Sequence, residues 1–133
     1  KTRRLFPAVE LSYVANGIDL TNWIPTASEY ELAKQWREKN IDGKLCVGVF
    51  GQLKAKKGLV VLLKAITATE LQANLHLLLI GEMAEEIKEM LDRTGITYSW
   101  YPFMDRYELL MYYLACDGVA IPSYYDGMPN VLL

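Results

Sequence analysis

The sequence has little of what builds metal centres and covalent cross-links: one histidine and two cysteines in 133 residues. Cys46 sits in Leu45-Cys46-Val47 and Cys116 in Leu114-Ala115-Cys116, both apolar surroundings and neither spaced as a metal-ligand pair. They read as buried thiols of a reducing compartment. His76, between Leu75 and Leu77, reads as a strand residue with an ordinary hydrogen bond rather than a ligand or a base. One histidine without a supporting motif sets aside both a zinc site and a Ser-His-Asp triad. No run of about 18 apolar residues is present, so no membrane span is expected. An excess of charge is missing as well. The formal net charge is −2, which gives no nucleic-acid footprint, and the basic start from Lys1 to Arg4 is too short to alter that. No signal peptide is visible and the chain begins with Lys, so the expectation is a piece excised from a longer, cytoplasmic protein.

Hydrophobic residues make up 52% of the chain, which fits a folded domain and excludes a disordered one. A domain near this size buries roughly two-thirds of the surface its unfolded chain exposes. Four apolar segments read as strands, at about 45–50, 75–80, 96–101 and 118–122, and helical patterns separate them. Leu45-Cys-Val-Gly-Val-Phe50 and Leu75-His-Leu-Leu-Leu-Ile80 are nearly continuous apolar runs, as strands of a parallel sheet buried on both faces require. Thr26-x-x-Glu29 is a capping box that starts a helix near Ala27, and the charges Glu29, Glu31, Lys34, Arg37, Glu38 and Lys39 form its solvated face. Ala84–Asp92 reads as a helix closed by Gly95, and Asp105-x-x-Glu108 starts another. Crossovers of roughly 18 to 25 residues fit right-handed βαβ units. The fold class is α/β, a Rossmann-like parallel sheet with flanking helices. Residues 1–25 do not read as a packed unit; one short strand is conceivable at Ala8–Val14, and Asn16-Gly17 is a turn signal.

Two segments carry the functional signal. The first is Gly51-Gln-Leu-Lys-Ala-Lys-Lys-Gly58, between a buried strand and the apolar helix Leu59–Ile66. Strand, glycine-bounded basic loop and helix together make a phosphate site, because backbone N–H groups, the helix dipole and lysines all favour an anion. It is neither a Gly-x-Gly-x-x-Gly turn nor a P-loop, and an ordinary lysine-rich surface loop is the competing reading. The second is Val119-Ala-Ile-Pro-Ser-Tyr-Tyr-Asp-Gly-Met-Pro-Asn-Val-Leu-Leu133, around which the chain is organised. Val119, Ala120 and Ile121 suit a strand buried on both faces, stopped by Pro122 and Ser123. Gly127 permits a tight turn, and Pro129 suits the first position of a helix. Open α/β sheets bind phosphorylated ligands at such a junction.

Pro122-Ser123-x-x-Asp126-Gly127-x-Pro129 resembles the Pro-Ser-x-x-Glu-Gly-x-Pro-x-x-x-x-Glu motif of glycosyltransferase family 4, the group 1 glycosyltransferases. Asp126 takes the place of the first Glu, and the second would be the residue after Leu133. Gly51-Gln52-Leu53-x-x-x-Lys57-Gly58 is similar to the family's Gly-Arg-Leu-x-x-x-Lys-Gly, with Gln52 replacing the Arg. Gly81-Glu82-Met83 resembles its Val-Gly-x-Gly turn, with Met83 at the second Gly. Asn16-Gly17-Ile18-Asp19 followed by Pro25 resembles its Asn-Gly-Val-Asp…Phe-x-Pro link, and Tyr113-x-x-Cys116-Asp117 its Tyr-x-x-Ala-Asp. Trp100 stands at the Gly of the family's Val-x-Phe-x-Gly strand end, after which residues edge the nucleotide base.

The resemblance implies the C-terminal, donor-binding half of a GT-B fold: residues 1–25 as the link from a preceding half, residues 26–133 as a C-terminally truncated nucleotide-sugar-binding domain. It implies a nucleotide-diphosphate sugar donor (UDP-, GDP- or ADP-linked), retention of configuration, no required metal and no cofactor. An acceptor glycan, lipid or small molecule would be bound by the missing half. Lys57 and Asp126 are the candidate catalytic residues. Gly51, Gln52, Lys57, Gly81, Tyr101, Ser123, Asp126, Gly127, Met128 and Asn130 are the candidate donor contacts. Gln can donate a hydrogen bond but carries no charge, so either Lys54 or Lys56 compensates or the donor is held more weakly. The aromatic residues Trp100, Tyr101 and Phe103 either stack on a base or pack the sheet. A receiver-type regulator lacks its strand-end acids here. A nucleotide-sugar epimerase of the same architecture and a non-catalytic nucleotide-binding relative are the other readings, and Gln52 favours the latter. The fragment alone is expected to bind donor weakly and to catalyse nothing.

Overall fold

The computed structural model describes residue 17 and residues 20–124. Its four parallel strands are β1 (Leu45–Phe50), β2 (Leu75–Ile80), β3 (Thr97–Tyr101) and β4 (Gly118–Val119), in spatial order β3-β2-β1-β4. Its helices are α1 (Ala27–Asn40), α2 (Leu59–Ala68), α3 (Glu85–Thr94) and α4 (Arg106–Ala115). Shorter 3-10 turns span Leu20–Trp23, Ala55–Lys57 and Leu71–Asn74. The doubly covered parallel sheet expected from the apolar runs is present.

Strand alternation sorts the core into two layers. Val49, Leu75, Leu77 and Leu79 face α2 and α3, where Leu59, Leu63, Ile66, Ile87 and Leu91 meet them. Cys46, Leu78 and Ile80 face the other way, against Trp36 of α1 and Leu109 and Tyr112 of α4. All six residues of β2 are buried. His76 is buried on the second face with its Nε2 3.0 Å from Ser99 Oγ, the ordinary strand hydrogen bond expected. Burial, with Lys44 nearby, holds its pKa below the usual imidazole value.

The helix ends follow local chemistry. Thr26 and Glu29 form the capping box in full, which lowers the Glu29 pKa through hydrogen bonds from Thr26. Asp105 caps α4 by accepting from the backbone N–H groups of Tyr107 and Glu108. Gly95 ends α3 in the left-handed conformation, as expected, with the helix running to Thr94.

Two expectations need correction. β4 is not a strand buried on both faces: it pairs only Gly118 with Val47 and Val119 with Gly48, and Val119 is 40% exposed. It lies at the edge of the described sheet, and after Ala120 N–H donates to the Gly48 carbonyl at 2.9 Å the chain turns off towards α2. Arg37 is not merely part of a solvated face. Its Nη1 donates to the Ala115 carbonyl at 2.6 Å and to Asp117 Oδ2 at 3.0 Å, while Asp117 also accepts from Cys46 N–H at 2.7 Å. One carboxylate thus ties α1 and β1 to the entry of β4. Cys46 is buried and Cys116 half-buried, their Sγ atoms 3.9 Å apart, and Cys116 Sγ also donates to the Tyr112 carbonyl.

Burial raises the Asp117 pKa, but the Cys46 N–H and Arg37 together outweigh it and the net shift is downward. A depressed carboxylate stabilises the fold above its unfolded value of about 3.9 and loses that contribution as pH falls through the folded value. Asp117→Asn is therefore expected to lower the melting temperature by a few degrees near neutral pH. The gap to the unsubstituted chain should close below about pH 4, as read by circular dichroism across pH. Gly81 adopts φ 135°, and a Cβ there would collide with the Gly51 carbonyl. Gly81→Ala is expected to cost about 2 kcal/mol or more in urea unfolding.

Candidate functional site

The carboxyl ends of β1, β2 and β3 open onto one edge of the sheet, and their exits stay hydrogen-bonded after the strands stop. Gly51 N–H donates to the Ile80 carbonyl at 2.8 Å and Gly81 N–H to the Tyr101 carbonyl at 2.9 Å. Leu53 then bridges to Met83, with Leu53 N–H on the Glu82 carbonyl and Ala84 N–H on the Leu53 carbonyl. Gly51 and Gly81 both have positive φ, and the absence of a side chain at Gly81 is what lets the two turns touch.

From Leu53 the first exit continues through the 3-10 turn Ala55–Lys57 to Gly58, which is left-handed with φ 79°. Gly58 opens α2, and no side chain caps that helix. Its N-terminus therefore presents backbone donors and the positive end of a dipole, an arrangement suited to an anion. A Cβ on Gly58 would collide with the Pro122 carbonyl. The glycine thus lets the lysine loop and the turn after β4 meet, which brings Lys57 and Ser123, each one residue from that contact, into one neighbourhood. Both are half-buried, and Gln52 is exposed.

A cavity of about 480 Å³ lies beside these turns. Phe50 and Gly51 line it from β1, Ile80, Gly81 and Glu82 from β2, and Pro102, Phe103 and Met104 from the end of β3; Leu109 and Tyr113 of α4 and Trp23 complete it. Its walls are aromatic. Phe50 and Tyr113 rings lie 4.3 Å apart, and Trp23 meets Tyr113 edge-on at 6.0 Å. The Arg106 guanidinium sits 5.1 Å over the Trp23 ring. The Trp23 indole N–H is buried and has no hydrogen-bond partner among the described residues. Burial, then the neighbouring Cys116, raises the Tyr113 pKa, so its hydroxyl stays neutral.

Of the candidate residues, Gly51 and Gly81 line the cavity, while Gln52, Lys57 and Ser123 stand on the adjoining turns. Tyr101 is elsewhere. Its hydroxyl accepts from Trp36 Nε1 at 3.1 Å and its ring packs on Tyr112 at 5.0 Å, so it joins α1 to α4 on the sheet's second face. Trp100 packs on the first face and donates its indole N–H to the Gly81 carbonyl at 2.9 Å. Of the three aromatic residues there, Phe103 reaches the cavity mouth, 83% exposed. Asp126, Gly127, Met128, Pro129 and Asn130 lie outside the described residues, as do Asn16, Ile18, Asp19 and the segment at Ala8–Val14.

Trp23, Phe50, Glu82, Met104 and Tyr113 line the cavity without being among the candidates read from the sequence. Sequence signals exist for two of them. Phe50 ends a buried strand, and Tyr113 lies four residues after Leu109, hence on the same side of α4.

Among the described residues no three His, Cys, Asp or Glu side chains gather as a metal site would need, and no helix is long and apolar enough to cross a membrane.

Comparison with solved structures supports the fold. The C-terminal domain of a glycosyl transferase group 1 family protein (LpcC) from Francisella tularensis superposes with a TM-score of 0.63 at 22% identity, over 84% of this chain and 61% of that one. Anabaena Alr3699/HepE in complex with UDP and glucose gives 0.69 at 20% identity, over 88% of this chain and 33% of that one. The same protein in complex with UDP-glucose gives 0.65 at 21% identity, over 81% and 30%. The chain thus spans less than two-thirds of each of these structures. No curated protein sequence matches it. Residues 32–133 match the family model described as glycosyl transferases group 1, and with that match covering well over half of its length the chain belongs to this family.

Proposed function

We propose that the chain is the donor-binding half of a retaining, cytoplasmic group 1 glycosyltransferase, residues 1–25 linking it to an acceptor-binding half. The observation that carries the reading is the meeting of Gly58 with Pro122. It sets an uncapped helix N-terminus and Lys57 beside Ser123, next to an aromatic cavity at the carboxyl ends of the strands. The two parts suit the two ends of a nucleoside diphosphate. The cavity offers ring faces for a base, and the loop offers N–H groups and an ammonium for phosphate oxygens. That UDP and UDP-glucose are bound in structures sharing this fold is consistent with such a ligand.

Catalysis on this side is electrostatic. Charge develops on the leaving diphosphate as the glycosidic bond to the nucleotide breaks, and donors fixed beforehand stabilise it without reorganising. Lys57, the loop N–H groups and Gln52 fill that role. Asp126 with the Gly127–Met128 backbone and Asn130 orient the sugar, and no metal is needed where the protein supplies these donors. The acceptor, a glycan, lipid or small molecule, is held by the other half. Gln52 favours one further reading, a non-catalytic nucleotide-binding relative.

Titration with UDP, GDP and ADP, followed by NMR, tests the reading. Shifts are expected at Gln52–Gly58 and Ser123–Asn130 and at the Phe103 and Trp23 rings, with one base preferred. Lys57→Ala should weaken binding of the preferred diphosphate about tenfold, as loss of a charged hydrogen bond requires. Silence at both loops with all three nucleotides would overturn the donor site.

A further inference from the structure

Gln52 leaves the loop without a cation that the family pattern carries there. The structure offers another two residues later. Leu53 is fully buried against the α2–α3 face of the sheet, and its backbone pairs with Met83. A tight turn closes around it, Lys54 N–H donating to the Gln52 carbonyl at 3.1 Å, with Gln52 exposed and Lys54 half-buried. Glu82 lines that cavity from the second exit turn. Lys54 Nζ stands 3.0 Å from Glu82 Oε2, with the Lys54 side chain 34% exposed and Glu82 72% exposed. The backbones beneath the pair are fixed to each other through Leu53 N–H on the Glu82 carbonyl and Ala84 N–H on the Leu53 carbonyl.

We infer that Lys54 supplies the positive charge at the nucleoside-diphosphate site that Gln52 does not, and that Glu82 is a positioning residue that holds the Lys54 ammonium at the cavity rim. This rests on the nucleotide-binding reading above. A surface pair of this kind contributes little to the fold, so its consequence lies in where it places charge. An ammonium has three donor hydrogens, and the carboxylate at 3.0 Å engages one direction while the others remain for phosphate oxygens. A lysine stem is flexible and loses rotamer freedom when it binds; fixing it beforehand removes part of that cost. An unpaired carboxylate at this rim would repel a diphosphate, and Lys54 cancels that repulsion.

The test is calorimetric titration with UDP, GDP and ADP, continued with whichever binds tightest. Lys54→Ala should weaken that diphosphate about fivefold, a partly screened charged contact. Adding Gln52→Arg to Lys54→Ala should restore affinity to within about twofold of the unsubstituted chain. Glu82→Gln should weaken binding about two- to threefold in the Lys54 background but tighten it in the Lys54→Ala background, where the carboxylate it removes is unpaired and repels the diphosphate, the non-additivity of one residue acting through another. Unchanged binding by Lys54→Ala would overturn the charge assignment alone. Tighter binding by Glu82→Gln with Lys54 present, or the same loss in both backgrounds, would overturn the positioning role. If the unsubstituted chain binds none of the three diphosphates, the nucleotide reading falls and the Lys54 role with it.

Discussion

The structure depends on covering β2 on both faces. A parallel strand in the middle of a sheet has no wet side, so every one of its six residues must be accommodated by a helix layer. Leu75, Leu77 and Leu79 commit α2 and α3 to one face; His76, Leu78 and Ile80 commit α1 and α4 to the other. Its one polar side chain is hydrogen-bonded to Ser99 within the sheet. With the middle of the sheet dry and closed, backbone groups able to meet a polar ligand occur only at its ends. At the carboxyl end, glycines at positions 58 and 81 bring three turns into contact.

Those glycines work by removing bulk. Gly81 lets the second exit turn lie on the carbonyl of Gly51, and Gly58 lets the helix α2 start against the carbonyl of Pro122. Each contact is backbone against side-chain-free backbone, so the lips of the site are set by the chain itself. Backbone groups held this way keep their positions without help from neighbouring side chains.

Much of this was legible in the residues. Continuous apolar runs marked β1 and β2 because such strands tolerate no polar face, and the Thr26–Glu29 box marked the start of α1 because two side chains satisfy two backbone groups there. β4 was over-read. Val-Ala-Ile has the composition of a buried strand, but composition does not say how many partners a segment finds, and two residues pair before the chain turns away. Tyr101, for which base stacking and sheet packing were both open, packs on the sheet: it is the last residue of β3, and alternation sends its ring to Trp36 and Tyr112. Arg37 looked like surface charge because its partner, Asp117, lies far along the chain. The aromatic cavity was the least legible part, since Trp23, Phe50 and Tyr113 come from three separate elements and only the fold sets them side by side.

The tie between Asp117 and Cys46 bears on the order in which the protein acquires its shape. The strand that borders β1 on one side, β2, comes next in the chain, after a single helical crossover, whereas β4 is separated from it by most of the domain. Closing so long a loop is slow relative to forming the β1–β2 pair, because chain entropy must be given up before any contact rewards it. During synthesis the outer edge of β1 therefore stays open until nearly all of the described chain has emerged. An unpaired apolar edge is prone to wrong partners over that interval. The carboxylate of Asp117, charged and anchored by Arg37, reaches the Cys46 N–H at the very point where β4 begins, so pairing of the last strand starts in the correct register.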